Sequence, residues 1–84
     1  MTEITATDIL WEQLDYVIKH LPPYAPTTAT ESLIAAREYI MCDYLVYADE
    51  LIIDAMQYFP DCICRALSLI SVGLQSILNA EEEE

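Results

Sequence analysis

Hydrophobic positions recur at helical spacing along most of the chain, and prolines interrupt the pattern in only two places. Ile9, Leu10, Leu14, Val17, Ile18 and Leu21 form one amphipathic stretch, with Glu12, Asp15 and Lys19 on its other faces. Thr5-Ala6-Thr7-Asp8 stands before it as a capping box, in which a Thr hydroxyl and a carboxylate three residues on satisfy two free amides. The pattern predicts helix one over 6–21. Pro22, Pro23 and Pro26 then predict an extended linker over 22–28.

A second box, Thr28-Ala29-Thr30-Glu31, opens a stretch with no breaker until Pro60, which predicts one continuous helix two over 29–58. Thirty residues of helix are about 45 Å long, against a diameter of about 30 Å for a globule of this size, so this helix should outrun a monomer. Met41, Tyr44, Leu45, Ala48, Leu51, Ile52, Ala55 and Phe59 form its core-facing stripe. Tyr39, Cys42, Val46 and Ile53 form a second apolar stripe on its back. A helix apolar on two sides needs packing on two sides, from helix one or from a second copy of the protein.

Pro60-Asp61 starts helix three, predicted over 60–80, with Pro tolerated in the first turn and Asp favoured by the helix dipole. Ile63, Ile70 and Ile77 fall seven apart, flanked by Leu67, Leu74 and Leu78. Ala66, Gly73 and Ala80 repeat at the same interval. A Gly in a helix costs about 1 kcal/mol relative to Ala, so Gly73 predicts a close helix contact. The short connection between helices two and three predicts an antiparallel helical hairpin. The expected fold is all-α: a short N-terminal helix, a proline linker and a long hairpin that dimerises. The expected interface is Tyr39, Cys42, Val46 and Ile53 together with Ala66, Ile70, Gly73 and Ile77.

Composition narrows the function. The chain has 84 residues, 15 acids, 3 bases and a net charge of −12, yet 55% of it is apolar. That length predicts one domain, and the apolar fraction argues against intrinsic disorder. With only Lys19, Arg37 and Arg65 to neutralise phosphates, direct nucleic-acid binding is excluded. The terminal run Glu81–Glu84 opposes the helix dipole and is expected to fray as an acidic tail. Without it, 80 residues still hold 11 acids and 3 bases, so the acidity is distributed.

The acidic N-terminus has no secretory pattern, and the apolar run Cys62–Leu74, broken by Arg65, Ser68 and Ser71, is shorter than the roughly 20 residues of a membrane span. A cytoplasmic protein without membrane insertion is expected. Cys42, Cys62 and Cys64 are odd in number and lie in helical text, which fits buried free thiols in a reducing compartment.

No catalytic set emerges. His20 is the only histidine, placed at a helix end, and one Gly cannot build a phosphate loop. Asp43, Asp49, Glu50 and Asp54 lack the Glu-x-x-His of a carboxylate metal site and the Gly of a calcium loop. They read as a solvated or recognition surface, and neither a cofactor nor a metal is expected.

From Thr27 onward the chain resembles a group of short pseudomonad proteins of unknown function. The matching residues are Thr30, Glu31, Ser32 and Leu33 at a helix start, then Ala48, Asp49 and Leu51, then Ala66 and Leu67. The likeness covers about two thirds of the chain and leaves out helix one and the Glu tail. It implies a dimeric helical hairpin with no catalytic residues to carry over. At the level of class, the chain is also similar to small acidic phage proteins that disable host factors. Two functions follow as expectations. One is a non-enzymatic inhibitor or adaptor that binds itself and another protein. The alternative is a nucleic-acid mimic that blocks a DNA- or RNA-binding protein such as a CRISPR effector or a transcription regulator.

Overall fold

A computed structural model describes residues 4–82, with side chains over 4–80. The described chain is all-helical, with α1 Ala6–Lys19, α2 Thr27–Met41, α3 Leu45–Met56 and α4 Asp61–Glu82. The first capping box forms as predicted. Thr5 Oγ1 accepts from the Asp8 amide at 3.2 Å, and the Asp8 carboxylate accepts from the Thr5 amide at 3.1 Å. The second box does not form. Helix α2 starts two residues earlier than expected, at Thr27 behind Pro26, and its hydroxyls turn back on the helix instead. Thr30 Oγ1 donates to the Pro26 carbonyl and Ser32 Oγ to that of Thr28.

The largest departure is in the predicted helix two. It is not one helix over 29–58 but two, separated at Cys42, Asp43 and Tyr44. Asp43 has φ 66°, the left-handed conformation that ends a helix. The Asp43 amide donates to the Ile40 carbonyl at 3.1 Å and the Tyr44 amide to that of Tyr39 at 2.9 Å. This pair of bonds, five-to-two and six-to-one, is the Schellman closure, and the Tyr44 ring lies edge-on to Tyr39 at 6.3 Å as the contact that accompanies it. No breaker is visible in the sequence because the left-handed position is filled by Asp and not by Gly.

The break removes the helix that was to outrun the monomer. The radius of gyration is 12.6 Å, and the longest helix is now α4, with 22 residues. Each helix packs on two others: α1 on α2 and α4, and α3 on α2 and α4. The core they enclose draws Leu10 and Leu14 from α1, Leu33, Ala36 and Ile40 from α2, Leu45, Ala48, Ile52 and Ala55 from α3, and Leu67, Ile70 and Leu74 from α4. Phe59, before α4, closes one end. Met41 and Tyr44, expected in the core stripe, are exposed because the turn swings them away from it.

Polar contacts fasten the elements to one another. Asp15 on α1 takes Lys19 Nζ at 2.8 Å and the guanidinium of Arg37 on α2, whose charge also lies 5.7 Å from the Trp11 ring centre. The Lys19 ammonium, and after it Arg37, hold the Asp15 carboxyl below the usual carboxylate range despite a partial loss of hydration. Cys64 Sγ donates to the carbonyls of Met56 and Phe59 at the turn between α3 and α4, so Cys64 is half-buried, whereas Cys42 and Cys62 are exposed, contrary to expectation. Helix α4 continues to Glu82, past the residue 80 expected for its end, and Glu83 and Glu84 lie outside the described residues. Its stretch Asp61–Ala80 is 20 residues long, enough to cross a membrane by length and composition, which corrects the shorter run read from sequence. In the bundle it contributes Leu67, Ile70 and Leu74 to the protein core.

Candidate functional site

The Schellman turn does more than end α2. It brings Tyr39 from the last turn of α2, Tyr44 from the junction and Tyr47 from the first turn of α3 onto one patch. Their ring centres lie 5.8 Å apart for Tyr39–Tyr47, 6.2 Å for Tyr44–Tyr47 and 6.3 Å for Tyr39–Tyr44, with tilted and edge-to-face orientations. The three residues are 39, 58 and 57% exposed. Three aromatic side chains are thus pre-ordered by one another while facing solvent.

The outer face of α3 continues from this patch. Val46, Glu50, Ile53 and Gln57 follow at spacings of four, three and four, all exposed, with Asp54 beside them accepting from Gln57 Nε2 at 3.2 Å. Val46 and Ile53 are each about half exposed, the outward stripe that the sequence pattern predicts. Asp43, Glu50 and Asp54 add carboxylates to the same side, and no Lys, Arg or His occurs between Arg37 and Arg65 to neutralise them. A cleft of about 460 Å³ opens beside Asp43, between α1 and the end of α2, and brings Asp8, Trp11, Glu12 and Met41 to its walls. The α2–α3 side thus combines tyrosines and carboxylates with Val46 and Ile53, and the cleft adjoins it toward α1.

Asp49 does not belong to it. The fourth acid of the expected recognition surface is 8% exposed and turned inward, where it accepts from Ser71 Oγ and, at 3.1 Å, from Gln75 Nε2, both on α4. It fastens α3 to α4. Burial of a carboxylate is compensated here by two side-chain donors, so the residue acts in the fold and not on the surface. Among the described residues, no three His, Cys, Asp or Glu side chains gather in a group able to hold a metal ion.

The second half of the expected interface is also placed differently. Ile70 is buried in the core, and Ala66, Gly73 and Ile77 are partly covered on the side of α4 that meets α1. Gly73 does mark a close helix contact, as its occurrence in a helix predicts. A Cβ at that position would lie 2.7 Å from Leu10 Cδ2 of α1. The contact is internal. His20 sits at the end of α1, its ring stacked on Tyr16 at 4.0 Å and its Nδ1 donating to the Tyr16 carbonyl at 2.8 Å.

The sequence pattern puts Tyr39, Cys42, Val46 and Ile53 on an outward stripe, and all four are exposed, whereas it puts Tyr44 in the core and Tyr47 on neither stripe. The available signal was the density of tyrosines at 39, 44 and 47, which becomes a cluster only once the turn at Asp43 is known. Comparison of the chain with protein-family models, with curated proteins and with solved structures finds no match.

Proposed function

We propose that this protein is a non-enzymatic inhibitor or adaptor that holds another protein on its α2–α3 face. The observation that carries this reading is the exposed cluster Tyr39, Tyr44 and Tyr47, rimmed by Asp43, Glu50 and Asp54 and free of cations along the chain from residue 38 to residue 64. Tyrosines contribute large apolar area at low entropic cost and dominate binding energy at many interfaces. Their ring faces also attract guanidinium and ammonium groups, and the flanking carboxylates add charge-assisted hydrogen bonds. The partner chemistry that fits is an apolar surface studded with Arg or Lys.

Mimicry of nucleic acid has less support. With Asp49 buried, α3 keeps only Glu50 and Asp54 as surface carboxylates, set among the exposed apolar side chains Val46, Ile53 and Tyr47.

The experiment compares what immobilised wild-type protein and the Tyr44→Ala/Tyr47→Ala and Ile53→Asp variants retain from host lysate. The replaced side chains are about half exposed, so both variants should keep the helical content of the wild type. The expected result is a protein held by the wild type, released by salt, and lost from both variants. Identical retention by all three would remove the α2–α3 face from consideration.

A further inference from the structure

The acids of α4 lie at its two ends, Asp61 at the start and Glu81 and Glu82 at the finish. From Cys62 to Ala80 the only charged residue is Arg65, in a molecule whose net charge is −12. On the outer side of α4, Arg65, Leu69, Val72 and Ser76 follow at spacings of four, three and four, and all four are exposed. Leu69 is 68% and Val72 59% exposed. Alongside, α1 presents Ile9 and Tyr16, also exposed, and between the two helices runs an apolar groove of about 380 Å³ with Glu12 on its rim.

We infer that this α1–α4 face binds a second copy of the chain. The charge distribution selects that occupant. Two molecules of −12 repel wherever carboxylates meet, which counts against the sides that carry Glu31 and Glu38 on α2 and Glu50 and Asp54 on α3. From Arg65 to Ser76 the α4 strip carries no carboxylate, and Asp61, one turn before Arg65, bounds it. A partner with a basic surface finds no acid on that strip to pair with. Glu12 lines the groove and Arg65 stands at the start of the α4 strip, and neither forms an ion pair among the described residues. A two-fold arrangement can join them across the seam. A stable dimer needs about 800 Å² from each partner, roughly one seventh of the 5791 Å² surface. The face differs from the expected interface: Ile70 and Gly73 turn toward the bundle, while Leu69 and Val72 turn outward.

The inference goes beyond the partner reading, because self-association is measured with no partner present and its failure leaves the α2–α3 face untouched. Sedimentation of the full chain from about 1 to about 200 µM tests it. The expected result is a reversible dimer that tightens between about 0.15 and about 0.5 M NaCl, as salt screens the repulsion of two acidic chains. Leu69→Glu should raise the dissociation constant about a hundredfold. Val72→Glu should do the same, and Ile53→Asp on the opposite side should leave it unchanged. A monomer throughout, a dimer indifferent to both Glu variants, or a dimer abolished by Ile53→Asp would each overturn the inference. So would a wild-type monomer that sediments with phosphatidylcholine vesicles, which would assign the face to a lipid surface.

Discussion

Replacing Asp43 by Gly and, separately, by Ala tests the architecture at its least expected point. Asp43 sits at φ 66° in the Schellman closure between α2 and α3. A side chain there crowds the backbone by about 1–2 kcal/mol, somewhat less for Asp, which is among the residues best tolerated in that conformation. Gly removes the crowding but adds about 0.5–1 kcal/mol of unfolded-state entropy, so Asp43→Gly should stabilise by at most about 0.5 kcal/mol. Ala keeps the crowding and loses the local tolerance of Asp, so Asp43→Ala should destabilise by a similar amount. In an uninterrupted helix the order reverses, since Ala is there about 1 kcal/mol better than Gly. Urea unfolding followed by circular dichroism at unchanged m-value reads the difference, and thermal unfolding shows it as about 4–8 °C per kcal/mol for a chain of this size. A Gly variant less stable than the Ala variant would refute the break.

That position also explains what was and was not legible in the sequence. Hydrophobic spacing gave the all-α class and part of the core, since Leu14, Ile52, Leu67 and Leu74 are buried as periodic positions should be, while Ile70, expected at an interface, is buried with them. Gly73 announced a tight contact, which proves to be with Leu10. Helix breaking is read from Gly and Pro, and the turn at 42–44 has neither; its cost is met by tertiary packing of Leu45 and by the Tyr39–Tyr44 contact, which no local pattern encodes. The Asp49 error has a related origin. Charged residues are expected outside, and only the approach of Ser71 and Gln75 from α4, 22 and 26 residues away, makes burial of this one affordable.

Two further outcomes concern the fold. Asp49→Ala leaves the Ser71 hydroxyl unpaired in a nearly water-free site and should cost about 1–3 kcal/mol in urea unfolding; a change within about 0.5 kcal/mol would return Asp49 to the surface. For Asp15, Lys19 and Arg37 depress the folded carboxyl below its unfolded value of about 3.9, so the stabilisation is present above that pH and is lost as pH falls through the folded value. Asp15→Asn should therefore be less stable than wild type near neutrality and converge with it in acid, and parallel stability curves from pH 7 to about pH 2 would contradict the ion pair.

The central claim is that an aromatic and acidic face on α2 and α3 holds a basic, apolar partner surface. Its most direct test is the affinity of purified wild-type protein and of Tyr47→Ala for the protein that the wild type retains, measured by calorimetry at about 0.05 and about 0.3 M NaCl. The account predicts at least a roughly tenfold loss with Tyr47→Ala at either salt, and weaker binding of the wild type at the higher salt. Equal affinities for the two proteins, together with no dependence on salt, would contradict it.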